Sequence, residues 1–369
     1  MNSTIRQNDD IIICNGLNTI PILNGTVNDW LFTDTDRIIV TILIPIIIIV
    51  GVIGNSSFLF MIARLKRMQT LTNCYLANIA VADIMLITYG PILYVVSYLK
   101  SPIVHYFPIE GVAGCFSAFF IANVGYFASV NIVTLVSMDR WMAICRPLYH
   151  RRVKSKGRTV KLITSAWCIA LVTTLLYVPK YGKSAWFCMN WPNVKDHEAL
   201  PKYLHTCVAM SPHFETHPEI LELLALVFGL FINGTFYIMI IHALNNRPMG
   251  DKSKPGDQII AIRNQVARLL IINGIVFFIC QLPLRVSNVN GISKNLFAKD
   301  LLTKSQYDSV TIFGRSFQYM NSAVNVFIYA FSSSFYRNGF RDAFSFSRKS
   351  PNKQEDAVPG PPGVASSNI

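Results

Sequence analysis

Ser137-Met138-Asp139-Arg140-Trp141-Met142-Ala143-Ile144-Cys145-Arg146-Pro147-Leu148 is the stretch that decides the fold. It closes an uncharged run that begins at Val112. A charged side chain at the centre of a bilayer costs about 2.5–3.5 kcal/mol, so an acid and a base at the end of an apolar helix mark a membrane boundary. Residues 146–161 then hold seven Lys or Arg and no acid. Basic loops stay in the cytoplasm, so we expect Asp139 and Arg140 at the cytoplasmic end of a helix.

The composition is that of a membrane protein. The chain is 52% hydrophobic and 14% charged, with a mean hydropathy of +0.39. A spanning helix needs about 20 apolar residues. Seven stretches qualify, of which the second contains Asp83 and the seventh Arg315: Ile38–Ala63, Leu71–Leu99, Gly111–Met138, Leu162–Tyr181, Leu221–Leu244, Leu269–Val289 and Ser309–Phe331. We expect an all-α membrane protein, a seven-transmembrane helix bundle over residues 38–331; the alternative for each stretch is a buried helix of a soluble core.

The two termini differ in character. Residues 1–37 hold two Arg and five Asp, with glycosylation sequons at Asn2 and Asn24, which predicts an extracellular, glycosylated N-terminus at the plasma membrane. Residues 332–346 are amphipathic and predict an eighth helix lying on the membrane lipids, followed by a disordered cytoplasmic tail over 347–369. The net charge of +13 is divided among loops, so we expect no nucleic-acid partner.

Four of the eight cysteines lie on the expected outer side, where disulfides form. We expect Cys115 to pair with Cys207, which lies ten residues before His217, where the fifth helix is expected to begin, as a hairpin laid over the pocket requires. Cys188 is the competing partner. If Cys207 pairs with Cys115, Cys14 and Cys188 remain to join the N-terminus to the second outer loop.

Each predicted helix carries a short motif in a fixed order. These motifs are Gly54-Asn55, Asn78 with Asp83, Asp139-Arg140-Trp141, Trp167, Tyr237, Phe277-Phe278-Ile279-Cys280-Gln281-Leu282-Pro283 and Asn321-Ser322-Ala323-Val324-Asn325-Val326-Phe327-Ile328-Tyr329. Their order and spacing resemble the rhodopsin-like (class A) G-protein-coupled receptors over about residues 38–346. The resemblance implies signalling through a heterotrimeric G protein by outward movement of the sixth helix.

The resemblance also implies roles for particular residues. The residues expected to switch and couple to the G protein are Asp139, Arg140, Tyr237, Phe277, Gln281, Pro283, Asn325 and Tyr329. An allosteric sodium ion is expected at Asp83, Ser129, Asn321 and Asn325, with a plain hydrogen-bond network as the alternative. The sequence departs from the family pattern at Trp141, Gly229, Gln281 and Val326; Gly229 and Val326 replace prolines, so we expect the fifth and seventh helices to be straighter or kinked by other means.

Ionisable residues mark the expected ligand pocket. Alignment on Arg140 places Ala122 where amine receptors carry an aspartate, and Tyr319 lies where opsins carry the retinal lysine, so neither ligand is expected. We expect ligand contacts from Glu222, Arg285, Arg315 and Tyr319. Glu222 can pair with only one of the two arginines, so the other is left for the ligand. A structural Glu222–Arg285 pair is the alternative.

The stretch Thr70-Leu71-Thr72-Asn73 and Pro91 in the second helix resemble those of peptide receptors, as does a long second outer loop, about residues 182–216, rich in aromatic residues. These features favour a receptor for an extracellular peptide, a neuropeptide or peptide hormone. A small carboxylate or lipid ligand is the runner-up, since two arginines would suit it equally. A transporter or channel would need internal repeats or discontinuous helices, which the sequence lacks. We expect no enzyme activity and no cofactor apart from sodium, since His150 and His242 stand alone and no catalytic group can be assembled around them.

Overall fold

A computed structural model describes residues 3–7, 10–14, 18–23, 25–192, 198–246 and 255–345. Within these residues, seven long helices form a bundle, which confirms the predicted fold, and a shorter eighth helix follows. The helices span Asp34–Arg64, Leu71–Lys100, Gly111–Cys145, Lys156–Leu175, His217–Asn245, Pro255–Phe297, Lys304–Ser332 and Ser334–Phe344. The predicted sequons at Asn2 and Asn24 and the predicted tail over 347–369 lie outside the described residues.

The first six long helices are apolar enough to cross a membrane by length and composition. The seventh, Lys304–Ser332, packs against the first, second and sixth helices and has a buried polar face. That face includes Asp308, Ser316, Gln318, Asn321, Ser322 and Asn325. Its polar side chains therefore point into the bundle, where they find partners, and its lower apolarity is compatible with a position among membrane-spanning helices.

The fourth helix is shorter than predicted. It ends at Leu175, and a 3-10 turn, Val178–Tyr181, follows, whereas the predicted span ran to Tyr181. Pro179 lies in this turn; proline has no backbone N–H and disfavours the α conformation of the residue before it, so the helix stops before it.

The third helix is the centre of the bundle, where it contacts the second, fourth and fifth helices. Polar side chains form hydrogen bonds between neighbouring helices of the bundle. The indole N–H of Trp167 in the fourth helix donates to Oδ1 of Asn78 in the second at 3.0 Å. Nδ2 of Asn55 in the first helix donates to the carbonyl of Ser322 in the seventh at 3.0 Å. Buried polar groups thus join helices pairwise.

Strands lie at one end of the bundle, where the sequence predicted only a hairpin before the fifth helix. An antiparallel hairpin, β4 (Lys183–Asn190) and β5 (Tyr203–Val208), lies between the fourth and fifth helices, and β3 (Thr19–Pro21) pairs in parallel with β4. A second hairpin is formed by β1 (Ser3–Gln7) and β2 (Asp10–Cys14). We call this the hairpin end and the opposite end, which carries Asp139 and Arg140, the Arg140 end. The pairing of β3 could not be predicted because this N-terminal strand gains its partner from a loop about 170 residues away.

Two disulfides secure the hairpin end. Cys115 at the start of the third helix bonds to Cys207 on β5, and Cys14 on β2 bonds to Cys188 on β4. These are the pairings that the spacing favoured over a Cys115–Cys188 bond. A small hydrophobic core supports the same layer, formed by Ile22, Ile103, Met189, Trp191 and Leu204. The N-terminal segment is therefore part of the layer above the bundle.

The eighth helix spans Ser334–Phe344, two residues shorter at each end than predicted. The Tyr336 hydroxyl donates to Oδ1 of Asn73 in the second helix at 2.8 Å. Arg67 and Asp342 form an ion pair between the first loop and this helix. The eighth helix is held by specific polar contacts as well as by its apolar face.

Candidate functional site

Asp139 and Arg140 form an ion pair at the Arg140 end, with side chains 14% and 10% exposed. Arg140 also donates to the hydroxyl of Thr72 in the second helix, a partner that the sequence analysis missed. Trp141, the third residue of the motif, stacks on Phe236 of the fifth helix with 5.4 Å between ring centroids. Arg140 is thus held between the third and second helices while the fifth helix packs against the residue that follows it.

His150 contradicts the expectation that it stands alone. Its Nε2 atom lies 3.0 Å from Oδ1 of Asp139. A short helix, Pro147–Val153, folds the chain back onto the third helix, since proline is favoured at a first helical position. His242, the other histidine expected to stand alone, lies 2.9 Å from Nδ2 of Asn246. The contact of His150 with Asp139 could not be predicted from the sequence because it depends on how the loop turns.

The two tyrosines expected in the switch lie in different surroundings. The Ser137 hydroxyl donates to the hydroxyl of Tyr237 at 3.0 Å, which joins the third and fifth helices. Tyr329 is buried, its ring 5.3 Å from that of Phe58, and its hydroxyl has no hydrogen-bond partner in the described part of the chain. Arg140 pairs with Asp139 in this arrangement, and neither tyrosine hydroxyl bonds to it among the described residues.

Asp83 lies at the centre of the bundle and is fully buried. Its Oδ1 accepts from the hydroxyls of Ser129 at 3.4 Å and Ser322 at 2.8 Å, and its Oδ2 accepts from Nδ2 of Asn325 at 2.6 Å. Ser322 was not among the residues predicted to hold the sodium ion, whereas its neighbour Asn321 was. Oδ1 of Asn321 has no hydrogen-bond partner in the described residues. Adjacent helical positions point about 100° apart, so the motif alone did not show which one faces Asp83.

Gln281 links the sixth helix to the seventh. It is 1% exposed, and its Oε1 accepts from Nε2 of Gln318 at 3.3 Å. Oε1 of Gln318 in turn accepts from Nη1 of Arg315 at 3.0 Å. Phe277, one turn along the sixth helix, is buried against Phe278. The glutamine that departs from the family pattern therefore belongs to a hydrogen-bonded chain that begins at a predicted ligand residue.

Proline and glycine set how closely the sixth and seventh helices approach. Pro283 lies inside the sixth helix, where proline removes one backbone hydrogen bond. A Cβ atom on Gly314 would lie 2.6 Å from the backbone of Leu284, so the seventh helix needs a glycine at this position. The close approach brings the two helices together around the Gln281–Gln318 contact.

Gly229 and Val326, which replace prolines of the family pattern, have packing roles. The fifth and seventh helices run through Gly229 and Val326 without a break. A Cβ atom on Gly229 would lie 3.2 Å from the Phe278 ring, so this glycine lets the fifth and sixth helices pack closely. Val326 is buried beside Gly54 of the first helix. Both residues let continuous helices pack in close contact.

Glu222 of the fifth helix faces both predicted arginines. Its Oε2 accepts from Arg285 at 2.6 Å and from Nδ2 of Asn288 at 3.0 Å, while Arg315 Nη2 lies 3.9 Å from its Oε1. The expectation that Glu222 pairs with one arginine alone was wrong, because three helices converge on this carboxylate. Arg285 Nη2 is buried without a partner among the described residues, and the side chain of Arg315 is 26% exposed. We call these four residues the ionic layer; its one carboxylate faces two guanidinium groups.

A cavity of about 460 Å³ lies above the ionic layer at the hairpin end. Its charged and polar lining residues include Lys180, Glu215, Glu219, Asn290, Lys294, Asp300, Lys304 and Tyr307. The four predicted ligand residues are not among those that line it. Glu222 lies three residues along the same helix from Glu219, about 4.5 Å deeper. Tyr319 is buried deeper still, its hydroxyl directed at Gly90 of the second helix.

Comparisons with known proteins agree with this architecture. Residues 54–329 match the model of the family described as 7 transmembrane receptor (rhodopsin family). Somatostatin receptor type 2 of Mus musculus is 26% identical over 316 residues, 84% of this chain and 77% of that receptor. Neuromedin-U receptor 2 of Mus musculus is 25% identical, with 84% and 76% covered. The thyrotropin-releasing hormone receptor of Gallus gallus is 25% identical, with 84% and 80% covered.

Proposed function

This chain belongs to the rhodopsin family of seven-transmembrane receptors, and we propose that it binds an extracellular peptide and activates a heterotrimeric G protein. The family consists of receptors, and the relatives named above are receptors for peptides. We place the protein in the plasma membrane with its N-terminus and hairpin end outside. The Arg140 end, with its basic loops, then faces the cytoplasm and the G protein.

The observation that carries the proposal is the ionic layer beneath the cavity. Two arginines share one carboxylate, Arg285 has an unpartnered nitrogen, and Arg315 is partly exposed. A carbonyl, amide or carboxylate oxygen of a ligand would supply the missing acceptor. A ligand that reaches through the cavity to Arg315 therefore gains a charge-assisted hydrogen bond.

The lining of the cavity favours a peptide over a lipid. Lys180 forms an ion pair with Glu219, and Lys294 lies 3.3 Å from Asp300. The cavity walls carry both positive and negative side chains, which can hydrogen-bond to the C=O and N–H groups of a peptide backbone. A lipid chain would instead remove these charged groups from water without offering them a polar contact, at a cost in free energy.

Ligand binding would reach the cytoplasmic side through the sixth helix. Arg315 bonds to Gln318, which bonds to Gln281, so a ligand that moves Arg315 acts on the sixth helix. At the cytoplasmic end, Arg140 would leave Asp139 and contact the G protein, with Tyr237 and Tyr329 stabilising its new position.

We also propose a sodium ion beside Asp83. Asp83, Ser129 and Ser322 supply oxygen atoms close together, and the unpartnered Oδ1 atoms of Asn321 and Asn325 offer neutral acceptors. A monovalent cation would neutralise the buried carboxylate. Thermal unfolding in sodium chloride against N-methylglucamine chloride tests the site: sodium should raise the unfolding temperature of the wild type and leave that of Asp83→Asn unchanged.

A peptide-library screen in transfected cells tests the receptor proposal, with intracellular calcium and cyclic AMP as readouts. Cells that express Arg140→Ala at matched surface density are the control. A peptide response that is lost in this variant supports the proposal, and a response only to carboxylates or lipids contradicts it. Staining of an N-terminal epitope on unpermeabilised cells tests orientation, and a gel shift after glycosidase treatment, lost in Asn2→Gln with Asn24→Gln, tests glycosylation.

A further inference from the structure

The ring of Tyr237 on the fifth helix ends directly against Gly274 on the sixth. A Cβ atom on Gly274 would lie 2.6 Å from Cζ of Tyr237 and nearer still to the tyrosine hydroxyl. Non-bonded atoms do not come this close to a Cβ atom in a packed protein, so the end of the ring occupies the space that any side chain at position 274 would need. Both residues are buried. We call this space in the surface of the sixth helix the Gly274 notch.

The ring that fills the notch is also fixed from other sides. The Tyr237 hydroxyl is hydrogen-bonded to the hydroxyl of Ser137 on the third helix at 3.0 Å. The ring belongs to a small hydrophobic cluster that includes Ile144 of the third helix and Ile271 of the sixth. One side chain therefore joins three helices near the Arg140 end, and its hydroxyl lies between Ser137 and the backbone of Gly274.

Two glycines of the fifth helix show what is particular to Gly274. Gly234 has no packing neighbour within 4 Å among the described residues, so a side chain there would meet open space. A Cβ atom on Gly229 would lie 3.2 Å from the Phe278 ring, a contact that a small shift relieves. The closer overlap at Gly274 needs the ring or the helix itself to move. Glycine weakens a helix interior relative to alanine, so the Tyr237 ring gives this glycine its physical reason.

We propose that Gly274 is a positioning residue, which couples Tyr237 to the sixth helix and holds that helix in its resting place. While the end of the ring fills the notch, the sixth helix lies close to the third and fifth helices. When Tyr237 turns toward Arg140, the ring leaves the notch and the sixth helix loses these contacts, which favours its outward movement. This inference rests on the proposed function, since it concerns the movement that couples the receptor to a G protein.

A side chain in the notch should favour the active arrangement. Gly274→Ala places a methyl group where the ring ends, and this overpacking is relieved when Tyr237 turns away or when the sixth helix moves outward. Both changes belong to the proposed active state. We therefore expect ligand-free nucleotide exchange roughly threefold to thirtyfold faster than in the wild type. The assay uses receptor in nanodiscs of phosphatidylcholine and phosphatidylglycerol, with Gi, Gs and Gq trimers in parallel.

Gly234→Ala is the matched control for this assay. It makes the same chemical change in a neighbouring helix and gains the same helix propensity, but its methyl group meets open space. Exchange should stay at the wild-type rate. An equal increase in Gly234→Ala and Gly274→Ala would overturn the role of the notch, because helix propensity alone would then explain both.

Thermal unfolding tests the contact without a G protein. Gly274→Ala should lower the unfolding temperature of the receptor by about 2–6 °C, because overpacking strains the resting arrangement. In a Tyr237→Leu background the same change should not lower it, since leucine is too short to reach the notch. This double-mutant cycle measures the coupling between the two positions. If Gly274→Ala alone fails to reach the cell surface, the double variant should recover surface expression.

The outcomes distinguish this inference from the proposed function. Exchange that is absent from every variant, or that Gly274→Ala raises equally in an Arg140→Ala background, contradicts the proposed function, and the role of Gly274 falls with it. Arg140-dependent exchange that Gly274→Ala leaves at the wild-type rate overturns the role of Gly274 alone. An equal loss of unfolding temperature or of surface expression with and without Tyr237→Leu also overturns it, because the ring would then not fill the notch.

Discussion

The molecule holds a buried carboxylate with an arginine partner at each end, and the two are built differently. Asp139 pairs with the next residue in the chain, while Glu222 pairs with arginines of the sixth and seventh helices. Asp139 is 14% exposed and Glu222 is 5% exposed. A rotation of side chains can break the first pair without moving a helix. Breaking the second requires three helices to shift, or a ligand to replace the carboxylate. The local pair therefore suits a switch, and the interhelical layer suits recognition and stability.

Replacing Arg140 tests the switch and should have the largest effect. Arg140→Ala removes the group that leaves Asp139 to contact the G protein, so we expect nucleotide exchange to be abolished. Surface expression should stay close to that of the wild type, because the Arg140 end lies near water and Asp139 keeps His150 as a partner. Exchange at the wild-type rate would show that the local pair is only structural.

Glu222→Ala tests the interhelical layer. It would leave two arginines facing each other without an acid, and removal of one partner from a buried ion pair costs about 3–5 kcal/mol. We expect low surface expression and a lower unfolding temperature in detergent. Glu219→Ala, one turn away on the cavity wall, is the control and should lose much less. Equal unfolding temperatures for the two variants would mean that water already reaches the ionic layer.

The two arginines should behave differently from each other. Arg315 is 26% exposed and lies 3.9 Å from Glu222, so Arg315→Ala should fold and weaken agonist potency roughly tenfold to a hundredfold, or about 1.5–3 kcal/mol. Arg285 is 5% exposed and 2.6 Å from Glu222, so Arg285→Ala should chiefly reduce surface expression. Dose–response curves at matched surface density measure the first effect, and surface staining the second. Unchanged potency for Arg315→Ala would assign the whole layer to structure.

Changes at Gln281 and Val326 should have the smallest effects, because they shift a balance between states without removing a charge. Gln281→Trp or Gln281→Leu removes the acceptor of Gln318, and Val326→Pro removes a backbone hydrogen bond of the seventh helix. We expect a change of a few-fold in ligand-free signalling at matched surface expression. If the rate is unchanged for all three, the chain from Arg315 to the sixth helix does not couple the two ends.

The sequence predicted the long helices well, because a membrane requires apolar runs of fixed length. It also predicted the Asp139–Arg140 pair and the Cys115–Cys207 bridge, which depend on adjacency and on the place of the hairpin before the fifth helix. It failed at positions where a loop determines the outcome: the end of the fourth helix, the strand β3 and the contact of His150 with Asp139. Ser322, Gln318, Thr72 and Asn288 were missed because a polar residue in a helix gives no sign of the neighbour it faces.

Patterns along the sequence are enough to predict a bundle of seven membrane-spanning helices with an acid and a base at one helix end. Hydropathy and charge patterning act over consecutive residues, so they can be read along the chain. Only the tertiary structure decided that Glu222 faces both Arg285 and Arg315, that Gln281 reaches Arg315 through Gln318, and that His150 holds Asp139. These contacts join residues that are far apart in sequence or separated by a turn. They depend on helix rotation and loop direction, which packing sets to within a few ångströms and which the sequence pattern leaves open.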